Sequence, residues 1–329
     1  MNAFFRQVRA FRTGQRGDMS APAQLLDQDF MGESNNSDEA DVFYEMRNGL
    51  VKVSYPVFVD GTEIEKNGLV NVVNRRKELA QLMVDSPYLA QTLANRTWAH
   101  FLGHGFTKPV DDLGPHNVPS HPELLEYLGN EIRSAEFDIR ELITWITLSR
   151  PYGLSSQRTK SNQKDDPQLG ESPKFSHFYL RQMRAEELYE SLLSASSSAG
   201  SQGSYEQQEQ VKNMWLRQFA TAFGTDEGDE TTSFNGTIPQ VLMMFNGDMI
   251  KSATTPEKGG MIDRLVRDDK IKEKSKVEHL FMAGLSRKPT RDEMQLAGSI
   301  LAARKGDPRQ ALRDVWWVIL NTNEFIFNH

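Results

Sequence analysis

The sequence predicts a mainly α fold: a multi-helical domain with one small β-ribbon near the N-terminus and long polar loops. Three observations predict it. Apolar residues recur at helical spacing between about 71 and 151, and again from about 273 onward. Two capping-box patterns, Ser120 with Glu123 and Thr290 with Glu293, mark helix starts. Strand-like alternation is confined to one short stretch, Val51, Val53, Tyr55, Val57 and Val59.

Taken in order, residues 1–41 read as an irregular segment, and 42–329 as a helical domain. A calcium loop at Asp27, Asp29 and Gly32 fails because Met31 stands at an oxygen-ligand position. The alternating stretch forms the ribbon, with Asp60-Gly61 as a tight turn and Pro56 restricting it to an edge. Two helices follow, broken at Ser86-Pro87. Leu82 and Val84 close the first; Leu89, Leu93, Trp98 and Leu102 serve the second, which Gly103 and Gly105 end. The next helix buries Leu124, Leu125, Leu128 and Ile132. The one after it buries Ile139, Leu142, Ile143 and Ile146 and stops at Pro151.

Polar, apolar-poor stretches near 153–175, 194–210 and 224–236 read as flexible loops. Between them Leu188, Leu192 and Leu193 form an inward stripe, and 238–250 reads as helical. The chain closes with helices beginning near Lys274, Arg291 and Pro308. No repeat of fixed period is visible.

Composition narrows the function classes. A net charge of −7 argues against a general nucleic-acid binder, which needs a basic face to neutralise phosphates. The absence of cysteine excludes disulfides, thiolate metal sites, cysteine nucleophiles and covalent haem. No apolar run reaches the length of a membrane span. The opening "MNAFFRQVRAFRTGQRG" lacks the apolar core of a secretory signal, so no signal peptide is expected in this chain.

Four of the seven histidines fall between 98 and 128: His100, His104, His116 and His121, with Asp111 and Asp112 between the pairs. His100 and His104 stand four apart, as in zinc proteases, but Phe101 replaces the general-base glutamate. A looser site is the metal candidate: His100, Asp111, Asp112, His116 and His121 offer imidazole and carboxylate ligands for a divalent metal. The competing reading is structural. Asp111 and Asp112 bond turn amides, Pro115, Pro119 and Pro122 stiffen the loop, and His121 sits in a helix's first turn. No nucleophile–base pair is evident, so no catalytic residue is assigned. Asn235, Gln240 and Asn246 could line a pocket, but Met243, Met244 and Phe245 read as core and the Asn-Gly pairs as turns. Trp316 and Trp317 project about 100° apart on a helix, placing one in the core and the other partly outside.

The stretches "ANRTWAHFLGHGFTKPVDDLGPHNVPSHPELLEYL", "ITLSRPYGLSSQ", "RQMRAEELYESLL", "FNGTIPQVLMMFNGDMI" and "LSRKPTRDE…LNTNEF" resemble, in this order, the planctomycete domain of unknown function 1553. The similarity runs from about residue 42 onward. The resemblance implies no catalytic residue. It implies company with a second domain of unknown function and with a c-type cytochrome-like module, and a location in the cell envelope or periplasm. The upstream partner domain and a haem-binding Cys-His motif are missing here, which implies a fragment or a short member relying on a separate partner.

The expectation is therefore a non-catalytic binding or scaffolding domain of an envelope assembly, linked to redox or polysaccharide processing, with a protein partner. Two alternatives stand beside it. One is a metal-dependent hydrolase built on residues 100–121. The other is a carbohydrate-binding module using Trp98, Trp145 or Trp316.

Overall fold

The computed structural model describes residues 1–12, 23–196, 204–213, 248–255, 260–304 and 306–328. It is mainly α, with small two-stranded ribbons. The chain divides into two compact units, Met1–Ala94 with Glu123–Ile139, and Asn95–Pro122 with Arg140–His329.

The first unit holds two antiparallel hairpins. Residues 1–41, expected to be irregular, carry a 3-10 turn at Asn2–Phe5 and the hairpin of β1 (Val8–Arg12) and β2 (Ala23–Asp27). The expected ribbon forms one step earlier than its turn signal. Strand β3 (Val42–Glu45) pairs with β4 (Val51–Ser54), with Val42 opposite Ser54. Met46 and Leu50 close the loop around Asn48-Gly49. The Asp60-Gly61 turn is present but closes only a single bridge, Val57 to Glu63. Pro56, which has no N–H to donate, stands where the ladder stops.

Helix α1 (Arg75–Asp85) starts at Asn74, whose side chain accepts from the Lys77 amide. It ends at Ser86, and Pro87 opens α2 (Pro87–Leu102), as its fixed φ favours. Helix α3 (Pro122–Ser134) buries Leu125, Leu128 and Ile132, and Arg133 donates to the Ser86 carbonyl at 2.7 Å. Two residues assigned to α1 and α2 as stripe positions are exposed, Val84 and Leu89. Along α2 the spacing is instead used by Ala90, Ala94, Trp98 and Leu102.

A fully buried arginine organises this unit. The Arg75 guanidinium donates to the carbonyls of Ala3 (3.1 Å), Ala40 (3.0 Å), Asn67 (3.3 Å) and Lys66. Gln7 completes the knot: its Oε1 accepts from the Arg75 amide, and its Nε2 donates to Gly68 and Val73 carbonyls. Burial lowers the Arg75 pKa from its usual value. Carbonyl dipoles, not a carboxylate, satisfy this charge. Phe4, Phe58 and Leu79 form a small apolar core in the same unit.

The second unit carries the larger core. Helices α4 (Ile139–Thr147), α5 (Ala185–Ser196), α6 (Asp248–Thr254), α7 (Met261–Arg267), α8 (Glu273–Leu285), α9 (Arg291–Ala303), α10 (Pro308–Leu320) and α11 (Asn323–Ile326) belong to it. Residues 205–213 are also helical. In α4 the buried positions are Leu142 and Ile146, while Ile139 faces solvent. The core gathers Leu188, Leu192, Val277, Leu280, Val315 and Trp316 with further aliphatics. Trp316 is fully buried and donates from Nε1 to the Ala253 carbonyl at 3.1 Å; Trp317 is only partly buried, as its helical offset predicts. The Thr290–Glu293 capping box forms. Arg287 clamps Glu293 (2.7 Å) and Glu324 (2.5 Å), tying the start of α9 to α11. A two-residue ribbon, β5 (Arg181–Gln182) with β6 (Phe327–Asn328), returns the chain end to the unit.

Replacing Arg75 by Ala leaves several buried carbonyls without a donor, and the expected loss is roughly 3–5 kcal/mol. Arg76→Ala removes a partly exposed pair with Asp27 and should cost only about 1 kcal/mol. Urea unfolding of the two variants checks this; equal losses would refute it.

Candidate functional site

The histidine-rich stretch is held by a buried asparagine. Asn95 lies on α2 and is fully buried. Its Oδ1 accepts from the Phe106 amide at 2.6 Å, and its Nδ2 donates to Thr107 Oγ1 (2.8 Å) and the Val110 carbonyl (2.9 Å). Gly103 ends the helix at φ 83°, the left-handed conformation that favours glycine. Gly105 passes so close to Asn95 and Val110 that a Cβ would lie 2.4 Å from Val110 Cγ2.

Of the candidate metal ligands, this turn brings Asp112 and His116 together. Asp111 pairs with Arg96 at 2.7 Å on the surface. Asp112 accepts from the Gly114 amide (3.1 Å) and from His116 Nε2 (2.9 Å), and these bonds lower its pKa. His116 itself is exposed. His121 packs between the rings of Phe106 and Phe175, with Nδ1 3.0 Å from Ser120 Oγ. The Ser120 hydroxyl lies against the histidine, and α3 opens at Pro122. His100 lies at the end of α2, its pKa lowered by burial and by Arg184 and Arg181. Among the described residues no three His, Asp or Glu side chains gather where they could hold a metal ion. Trp98 and Trp316 are both buried and offer no stacking face; Trp145 is partly buried. Asn235, Gln240, Asn246, Met243, Met244, Phe245 and the 224–236 loop lie outside the described residues.

One histidine of that stretch does face a cleft, beside residues that the sequence reading passed over. The 153–175 loop, expected to be flexible, is arranged around a buried carboxylate. Asp165 Oδ1 accepts from the Tyr179 hydroxyl (2.6 Å) and the Lys174 amide (3.0 Å). Its Oδ2 accepts from the Ser176 hydroxyl (2.6 Å) and the Ser176 amide (2.9 Å). The Tyr179 hydroxyl also accepts from the Lys174 and Phe175 amides. These contacts hold Phe175 at φ 50°, a conformation rare for a bulky side chain. Burial opposes the charge of Asp165, but the hydrogen bonds from Ser176 and Tyr179 outweigh it and hold the carboxyl at about 2. Burial, and then Asp165, push the Tyr179 phenol above its usual value.

Rings continue the arrangement. Trp98, Phe106, Phe175 and Tyr179 pack in series, and His104 and His177 each meet the Tyr179 ring edge-on, at 5.0 and 4.9 Å. Beside them opens a cleft of about 240 Å³, whose lining includes His104, Ser156, Arg158, Asp166, His177 and Tyr179. Burial first, and then Lys108, lower the His104 pKa to about 4, so its imidazole is neutral near pH 7. Arg158 pairs with Asp166 Oδ2 at 2.8 Å. Two buried atoms of this lining have no hydrogen-bond partner: His177 Nδ1 and Asp166 Oδ1. His177 Nδ1 lies 3.7 Å from Asp165 Oδ2, beyond hydrogen-bond reach.

A family model described as PSD1, protein of unknown function (DUF1553), matches residues 75–301, more than half of the chain. The chain belongs to the DUF1553 family. The DUF1553 match covers α1 to most of α9, and so the whole of the cleft. It is narrower at both ends than the motif resemblance, which ran from about 42 to past "LNTNEF". No curated protein and no solved structure matches the chain.

Two measurements probe the site. Asp165→Asn places an NH2 group against donors and should cost roughly 2–4 kcal/mol, with 153–180 becoming the first segment cut in limited proteolysis. His104 carries a depressed folded pKa, so the unfolded chain binds more protons between pH 6.5 and 4. Its contribution is present above pH 6.5 and lost as the pH falls toward 4, amounting to roughly 2–3 kcal/mol. Urea midpoints across that window should fall for the wild type and flatten for His104→Gln. Parallel profiles would refute the assignment.

Proposed function

We propose that this DUF1553 chain is a non-catalytic binding domain that scaffolds a partner, and that its recognition element is the 153–180 loop. The observation that carries the reading is the buried Asp165 with its four donors. Between α4 and α5 lie 148–184, a stretch without α-helix. Loops this long inside compact units are uncommon, and ordered ones are mostly functional. A side-chain network that fixes the loop in one shape removes the ordering cost that a binding surface otherwise meets on association.

The wider setting follows from the sequence resemblance. The chain works in a cell-envelope assembly connected with redox or polysaccharide processing. Its protein partner is the companion unknown-function domain or a cytochrome-like module. Such a partner supplies any haem, since this chain has no cysteine with which to attach one.

The test is co-expression with a separate cytochrome-like domain and with a companion domain. The wild type and His116→Ala should each retain one of them on affinity purification, and Asp165→Asn should lose it. Loss from His116→Ala alone would move the surface to the exposed turn at Asp112. Turnover of an ester or glycan by the wild type, abolished in His177→Ala or Asp112→Ala folded variants, would overturn the non-catalytic reading.

A further inference from the structure

The cleft beside His104 has a chemistry that narrows its ligand, and this step rests on the binding role of the 153–180 loop. Asp166 is 14% exposed at its side chain; Arg158 engages its Oδ2, and the Arg158 hydrogen bond, with the Gln168 amide, lowers its pKa. The other oxygen, Oδ1, is buried without a partner; His177 Nδ1, also without one, lies 3.7 Å from Asp165 Oδ2. Buried polar atoms are normally satisfied, so unpaired ones in a cleft wall ask for a ligand or a water.

Charge decides what kind of ligand. The Arg158 cation is already balanced by Asp166, and the buried Asp165 carboxylate lies behind His177. An anion would enter with two carboxylates nearby and one compensated cation. A cation would find only one carboxylate on the lining, already paired, and no ligand set of three. A neutral molecule with several hydroxyls meets neither penalty. One hydroxyl can donate to Asp166 Oδ1 while its neighbour accepts from Arg158, whose side chain is half exposed. Gln168 and Ser156 add groups that donate and accept. At about 240 Å³ the space is smaller than a drug-sized pocket and suits a single ring.

We infer that the cleft lined by His104, Arg158, Asp166 and His177 is a subsite for one neutral polyhydroxylated ring, a sugar residue held by the Asp166–Arg158 pair. The residues concerned are not those that read as glycan-stacking in the sequence, since Trp98 and Trp316 are buried.

The experiment is ligand-observed NMR on the full chain at pH 7, with the methyl glycosides of glucose, galactose and mannose, and with inorganic phosphate. At least one glycoside should bind the wild type in the millimolar range. Arg158→Ala, at a half-exposed position that should not disturb folding, and Asp166→Asn should each weaken it tenfold or more. Arg96→Ala, which removes a surface pair elsewhere, should leave it unchanged. No glycoside binding to the wild type overturns the subsite, as does binding that both cleft variants retain. Phosphate binding lost in Arg158→Ala, without glycoside binding, makes it an anion site and overturns it too. If the partner complex persists while glycosides fail, only the subsite falls; if Asp165→Asn keeps the partner, the loop reading falls by itself.

Discussion

A carboxylate taken out of water must be met by donors or give up its charge. Asp165 keeps its charge, with a side chain 2% exposed and four hydrogen bonds within 3.0 Å. The consequence spreads outward. Two of the donors are backbone amides, so the chain at 174–176 has to turn toward the carboxylate. A third is the Tyr179 hydroxyl, which in turn receives the Lys174 and Phe175 amides. The ring of Tyr179 then has one position, and His104 and His177 are placed against it. The cleft is a product of satisfying one buried charge.

Arg75 poses the same problem with the opposite sign in the other unit. There the answer is a cage of carbonyls from four residues between 3 and 67. In both cases chain outside the α-helices and strands supplies the partners, because those elements have already committed their backbone groups to themselves. Buried ions therefore order the very segments that lack regular structure. This explains how residues 28–41, 55–74 and 148–184 hold defined shapes while contributing few apolar side chains to a core.

Helices were the legible part of the sequence. Pro87, Thr290 with Glu293, and the stripe Leu125, Leu128 and Ile132 are local signals, and each worked as its spacing implied. Leu89 and Val84 misled because periodicity names a face without saying whether anything covers it. The β1–β2 hairpin was missed because its strands alternate poorly. The cleft was missed for a deeper reason. In the sequence, "KSNQKDDPQLG" is indistinguishable from a solvated turn, and burial of Asp165 depends on Ser176 and Tyr179 closing over it. The available hint was the aromatic cluster "FSHFY" directly after the polar run. Conversely, the dense histidines at 100–121 attracted attention by composition alone, while Asn95 and the Asp112 turn hold most of them apart.

Satisfaction also separates two neighbours within the 153–180 loop. Asp165 is saturated, with no capacity left for a ligand, so it acts through the residues it positions. Asp166, its immediate neighbour, has one oxygen paired and one orphaned. Asp166 lines the cleft and Asp165 does not, so a single Asp-Asp pair places one carboxylate behind the wall and the other on it. The first supplies rigidity and the second a vacant acceptor. A rigid wall with an unpaired acceptor loses little entropy when a hydroxyl arrives and recovers a hydrogen bond that the free protein lacks. On the proposed binding role, that division of labour places recognition in the loop rather than in the histidine-rich turn, although His104 is shared by both.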